Sequence, residues 1–202
     1  MKKMAGFAAA AMMCSAFMAG CTAKSAASKG NQAGDTIKIG VNMELSGAAA
    51  GYGQQEKNGI ELAVHEINAK GGVNVNGKKK KIKAIYRDNK SSTSTSASVA
   101  AQLTSQDKAV ALIGPATTNA GTATIPTANK ANVPFLSASA TAPDFTLDKK
   151  GKVQPYVFRA CFKDDYQGIT AAKFAYDTLK AKKVAILADN SSDYGTGITK
   201  AF

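Results

Sequence analysis

Short strand-like runs alternate with segments of helical period along most of this chain, and that alternation restricts the possible folds more than any other feature. Ile37, Ile39 and Val41 begin a strand that gives way to a loop rich in Gly and Ala; Ile60, Ala63, Val64 and Ile67 then recur at helical spacing until Gly71-Gly72 stops the helix. Lys81 to Tyr86 reads as a second strand, the Ser/Thr-rich stretch from Ser91 offers caps, and Val99, Ala100 and Leu103 mark the next helix face. A third strand, Ala109 to Ile113, ends at Gly114-Pro115. A helical stretch follows to Ala131, with Pro126 expected to kink it, and then a strand from Pro134 to Ser137. Such alternation predicts an α/β fold, a parallel sheet flanked by helices with right-handed crossovers. Ligands of such sheets sit beyond the C-terminal strand ends. The loops of interest are therefore Met43 to Gly53, Pro115 to Ala120 and Ala138 to Pro143, all rich in small and hydroxyl residues.

Beyond this unit an extended piece, Val153 to Asp165, leads into a helix with Ala171, Phe174, Ala175 and Leu179 on one face. A strand from Lys183 to Ala188 and a loop from Asp189 to Gly197 follow. One strand and one helix bury too little surface for a core of their own, so this part reads as the start of a second α/β lobe, incomplete at Phe202. The expected organisation is residues 36–152 as a first ligand-binding lobe and 153–202 as the start of a second.

The first residues read as an address. Lys2 and Lys3 precede an apolar run from Met4 to Phe17 and then small residues, the pattern of an export signal over residues 1–20. The run is shorter than the ~20 apolar residues a membrane span needs. From Cys21 to Asp35 the chain has the composition of a flexible tether. Of the three cysteines, Cys14 leaves with the signal, and Cys161 has no second Cys or His near it in sequence that would suggest a metal or a nucleophile. His65, the single histidine, falls within a predicted packed helix and is read as structural.

The net charge is +12, and removing the two signal lysines leaves +10. A nucleic-acid partner is disfavoured because the densest basic run, Lys78 to Lys81, falls between two predicted strands and lacks interleaved aromatics. It reads as a solvated hairpin tip, and the charge also suits attraction to anionic lipid heads.

Several motifs in order carry a family resemblance: Ser46-Gly47 with Tyr52-Gly53, the run "ELAVHEINAKGG" from Glu61 to Gly72, Ile113-Gly114-Pro115, "SASATAP" from Ser137 to Pro143, and Asp193-Tyr194-Gly195. From about Ile37 onward the chain resembles the branched-chain amino-acid binding proteins of ABC importers. The resemblance implies the type I periplasmic-binding (Venus-flytrap) fold and an extracytoplasmic protein that passes an amino acid to a membrane permease, with no enzymatic activity, cofactor or metal. By motif, Thr118, Ser139 and Thr141 hold the ligand's carboxylate and ammonium, with Thr117 as the alternative to Thr118. Tyr52 and Tyr194 close over the ligand. Met18-Ala19-Gly20-Cys21 resembles the bacterial lipobox, which implies lipid attachment at Cys21 and membrane contact only through that anchor. The family's acid for the ligand ammonium is expected beyond Phe202.

The chemistry is sound in itself: hydroxyls and the N–H groups of a helix N-terminus suit a carboxylate. A Ser or Thr at a strand end also caps helices, and the two roles coexist. A nucleotide-binding Rossmann enzyme would need G-x-G-x-x-G after the first strand, and Glu44 to Gly51 reads ELSGAAAG instead. A ligand-sensing receptor or regulator of the same fold, binding an amide, urea or another small solute, stays open at this stage.

Overall fold

The computed structural model describes residues 36–202, so the export signal, Cys21 and the tether lie outside the described residues. Seven strands and five α-helices follow in the order β1 (Ile37–Met43), α1 (Ala50–Ala69), β2 (Val73–Val75), β3 (Lys78–Lys80), β4 (Ile82–Asp88), α2 (Thr93–Ser105), β5 (Ala111–Ile113), α3 (Thr118–Ala131), β6 (Phe135–Ser137), β7 (Val157–Arg159), α4 (Asp164–Lys173) and α5 (Asp193–Ala201). A π-helical turn, Phe174–Thr178, extends α4. β4, β1, β5, β6 and β7 form one parallel sheet in that order, as the alternation predicts. The chain moves from β1 to one side and then returns to the other, so the order reverses between β1 and β5 and leaves a crevice at their C-terminal ends.

Alternation along β1 sorts its side chains between two faces. Val41 and Met43 are fully buried on the α1 face with Ala116, Ile60, Ala84 and Tyr86. The opposite face packs under α2 and α3, where Leu103, Leu112, Val133, Phe135, Phe145 and Val157 are buried, and the rings of Phe135 and Phe145 meet edge to face at 5.8 Å. Gly40 faces this second core because nothing larger fits: a Cβ there would lie 2.9 Å from Leu112 Cδ2 and 3.0 Å from Leu103 Cβ.

Asn42, on the same face, is buried among polar partners. Its amide donates to Ser96 O (3.0 Å), Ser96 Oγ (2.9 Å) and Thr124 Oγ1 (3.0 Å), and its Oδ1 accepts from Asn89 Nδ2 at 3.2 Å. These bonds tie β1 to α2 and α3 through a satisfied network that apolar packing would not orient.

Four details differ from the sequence reading. Lys78 to Lys80 is itself a strand, paired with β2, and the turn is Asn76-Gly77, both with positive φ (51° and 80°) as a tight hairpin turn requires. Val157–Arg159 pairs with β6 as the sheet's edge strand, so the first sheet extends past residue 152. Lys183 to Ala188 forms no strand: Val184, Ile186 and Leu187 are exposed and find no sheet neighbour among the described residues. The apolar face of the preceding helix is open as well, with Phe174 53% and Leu179 62% exposed. α3 runs continuously across Pro126 and ends at Asn132, whose left-handed conformation terminates the helix.

Gly40→Ala should lower the unfolding free energy of the full-length protein by about 1–3 kcal/mol through overpacking, read as a lower urea midpoint with unchanged slope.

Candidate functional site

The crevice between β1 and β5 is filled by a carboxylate. Glu44 follows β1 and is fully buried; its Oε2 accepts from Ala116 N–H at 2.9 Å and its Oε1 from Thr117 N–H at 3.1 Å and Thr117 Oγ1 at 2.7 Å. It thus occupies donors at the start of α3, where the helix dipole also favours an anion. The backbone closes tightly around it. Gly53 of α1 lies so near that a Cβ would be 2.0 Å from Glu44 O, and Gly114 (φ +77°) would place one 2.4 Å from Asn42 O.

This arrangement separates the two threonines that the sequence left as alternatives. Thr117 gives its hydroxyl to Glu44, whereas Thr118, the first residue of α3, is buried with its hydroxyl unpartnered. Thr141 is also buried with an unpartnered hydroxyl, and its carbonyl accepts from Asp164 N–H at 3.0 Å. Ser139 is half-buried; its Oγ lies 2.6 Å from Ala116 O and close against Glu56 Oε1. Ser137 Oγ donates to Pro115 O at 2.7 Å and accepts from Ala140 N–H at 3.0 Å, which fixes the loop carrying Ser139 and Thr141.

The two tyrosines stand apart from this group. Tyr52, in the first turn of α1, is 70% exposed. Tyr194 is in the first turn of α5 and its hydroxyl donates to Gln167 Oε1 at 3.2 Å. The start of α5 does reach α3, because Asp193 N–H donates to Asn119 Oδ1 at 3.1 Å.

Three acids near these residues escaped the sequence reading: Glu44, Glu56 and Asp164. Asp164 opens α4, is fully buried, and neither of its carboxylate oxygens has a hydrogen-bond partner, so it is not acting as a side-chain cap. Burial pushes its pKa up. The Thr141 hydroxyl pulls the other way, although it lies outside hydrogen-bond geometry; Asp165 raises the value and Arg159 lowers it. Gly197 of α5 packs directly on this carboxylate, where a Cβ would lie 2.4 Å from Oδ2. Thr118 and Asp164 line a common cavity of about 610 Å³ between α3, residues 142–149 and α5, with Pro126, Phe145 and Thr196 among its walls. Of the five expected ligand residues only Thr118 reaches that cavity. The sequence signals for these acids were their places: Glu44 directly after a strand at the ligand end, Glu56 one helical turn after Tyr52, and Asp164 at the end of an extended piece.

The Ser139 hydroxyl sits between Glu56 Oε1 and Ala116 O, two acceptors for its one proton. Burial raises the Glu56 pKa and Glu44 adds to the effect, against the Ser139 bond, which lowers it. Cys161 is half-buried with Sγ 3.4 Å from Ala140 O, and burial pushes its thiol up, away from the reactive thiolate. His65 is exposed on α1. Among the described residues no group of His, Cys, Asp and Glu is placed to hold a metal, and no helix is long and apolar enough to cross a membrane.

A doubly wound α/β sheet carries buried, unpartnered hydroxyls and an acid at its C-terminal edge. The chain belongs to the periplasmic binding protein family, which matches residues 36–202. It is 34% identical over 168 residues to a protein of Pseudomonas aeruginosa named "Amino acid binding protein", covering 82% of this chain and 42% of that one. Among solved structures it is similar to the branched-chain amino acid transporter substrate binding protein LivJ from Streptococcus pneumoniae in complex with isoleucine. That match has 46% identity and a TM-score of 0.75, over 82% of this chain and 45% of that one. It is also similar to a solute binding protein of an ABC transporter from Rhodopseudomonas palustris in complex with 3,4-dihydroxy benzoic acid, at 28% identity and a TM-score of 0.71, over 83% of this chain and 43% of that one. The chain therefore spans less than half the length of these relatives.

Because Glu56 has a folded pKa above its usual 4.5, its contribution to stability is complete below that pH and is lost as pH rises through the raised value. Glu56→Gln lacks this titration. The stability of the parent protein relative to Glu56→Gln should fall as pH is raised from about 4 to 8, read from urea midpoints; a flat difference would show that folding does not raise the Glu56 pKa.

Proposed function

We propose that this protein is the extracytoplasmic solute-binding component of an ABC importer, holding an α-amino acid of branched-chain type between two lobes and delivering it to a membrane permease. The observation that carries the reading is the set of unsatisfied buried groups at the C-terminal edge of the sheet: the Thr118 and Thr141 hydroxyls and both Asp164 oxygens. Buried polar groups left without partners are costly, and at a pocket they mark where a ligand completes the bonding. Hydroxyl donors suit the ligand's carboxylate. An acid suits its ammonium, so Asp164 provides within this chain the kind of group that sequence reasoning looked for beyond Phe202.

In this reading Ser139 positions the loop through Ala116 and Glu56, and the exposed rings of Tyr52 and Tyr194 swing over the ligand when the lobes close. The ligand drives closure only to the extent that it binds the closed state more tightly than the open one. The protein is held at the membrane by lipid on Cys21, without a cofactor and without chemistry on the ligand. The relatives' names and the isoleucine complex support the choice of ligand. The dihydroxybenzoic acid complex of the Rhodopseudomonas relative shows that a similar lobe takes a carboxylate with no ammonium, and the buried acid at Asp164 argues against that ligand class here.

Isothermal titration of the full-length protein should show tight binding of leucine, isoleucine or valine and none of 3,4-dihydroxybenzoate. Hydrogen bonds to charged groups contribute about 1.5–3 kcal/mol, so Thr118→Val and Thr141→Ala should each weaken binding about tenfold or more. Binding of the aromatic acid alone would overturn the amino-acid assignment. Asp164→Asn should weaken amino-acid binding by a similar factor while sparing the corresponding α-keto acid; equal loss for both would remove Asp164 as the ammonium partner.

A further inference from the structure

A parallel sheet fixes the direction of every element, so strands begin and helices end at one end of the lobe while the ligand site lies at the other. The charges follow that division. Glu44, Glu56, Asp88 and Asp164 all lie at the site end, after strands or at the starts of helices. The opposite end is basic and open to solvent. Lys70 caps the C-terminus of α1, Lys78 and Lys79 lie on the β2–β3 hairpin, Lys81 joins it to β4, Lys108 precedes β5, and Lys130 is in the last turn of α3; all six are exposed.

Acids at this end include Asp107, bound to Arg87 at 2.8 Å, and the exposed Glu66 of α1 and Asp177 of the π-helical turn that ends α4. Lysines at helix C-termini also complement the helix dipole, which accounts for Lys70 and Lys130. It does not account for the hairpin, where Lys78 and Lys79 lie opposite Val75 and Asn74 across the strands.

The N-terminal segment enters the fold at this same end. Ile37 N–H donates to Lys81 O at 2.9 Å, which places the first residue of β1 at the base of the lysine hairpin. Fourteen residues, Thr22 to Asp35, separate the proposed lipid-bearing cysteine from the described fold. At no more than about 3.5 Å per residue that stretch reaches at most about 50 Å, so an anchor at Cys21 would keep this face within that distance of the headgroups.

We propose that the face formed by the β2–β3 hairpin and the adjoining helix ends docks on anionic phospholipid headgroups, turning the ligand site away from the lipid and toward incoming solute. The proposal rests on the extracytoplasmic, membrane-anchored reading above but not on the identity of the ligand. Each lysine close to an anionic surface contributes roughly fivefold to partitioning, and the attraction fades within a Debye length of about 8–10 Å.

The test uses the full-length protein carrying Cys21→Ser, which removes acylation, sedimented with vesicles of phosphatidylcholine alone or with about one-third phosphatidylglycerol. Binding should require phosphatidylglycerol and be released at about 0.3 M salt. Lys78→Glu with Lys79→Glu should reduce partitioning at least tenfold, whereas Lys90→Glu with Lys163→Glu, the same change in net charge at the site end, should leave most of it. If the hairpin pair loses the circular dichroism of the parent, Lys108→Glu with Lys130→Glu tests another part of the same face. Absence of phosphatidylglycerol-dependent binding, or equal loss in the pairs from both ends, would overturn the proposal. Mass measurement of the wild-type protein reports acylation of Cys21 separately, so failure of the anchor and failure of the docking face are distinguishable.

Discussion

Glu44 is the pivot of this lobe. A fully buried carboxylate is tolerable only when its lone pairs are filled, and here the donors come from Ala116 and Thr117, just before α3. That requirement joins the end of β1 to the start of α3 across the point where strand order reverses, and it explains why glycine stands at 53 and 114, where backbone must approach backbone. With Thr117 committed to the carboxylate, the next residue is left with a free hydroxyl, and so the site begins at Thr118. Structure and ligand chemistry meet at one side chain.

The other side of β1 solves a similar problem with neutral groups. Asn42, Ser96, Thr124 and Asn89 satisfy one another beneath the small side chains of α2 and α3, which lets both helices lie close to the sheet and keeps their N-termini aimed at the site. The apolar cluster around Leu103, Phe135 and Phe145 contributes the non-directional part of the stability, and the polar network fixes where the helices stop sliding.

The sequence conveyed the layer plan well because strand and helix periods are local properties. β1, β4, α1 and α2 were legible from their own residues, and the strand-end loops pointed to the right edge of the sheet. Features that depend on a distant partner were not. Lys183 to Ala188 has a strand's alternation but no neighbouring strand among the described residues, and Lys78 to Lys81 reads as a tip because lysines hide the Asn76-Gly77 turn signal beside them. The buried acids were harder still. Glu44, Glu56 and Asp164 look in sequence like ordinary solvated carboxylates, and only the approach of α3, Ser139 and α5 makes them different.

Pro126 has one more effect within α3. Lacking an amide hydrogen, it cannot close the usual bond to the carbonyl of Thr122, and both residues line the cavity beside Asp164. The helix therefore leaves the Thr122 carbonyl without its usual intrahelical donor where α3 borders that cavity. That vacancy is encoded at position 126 and not at 122, so variation in the Thr122 side chain can reshape the cavity wall while the carbonyl's capacity to accept a hydrogen bond is inherited unchanged.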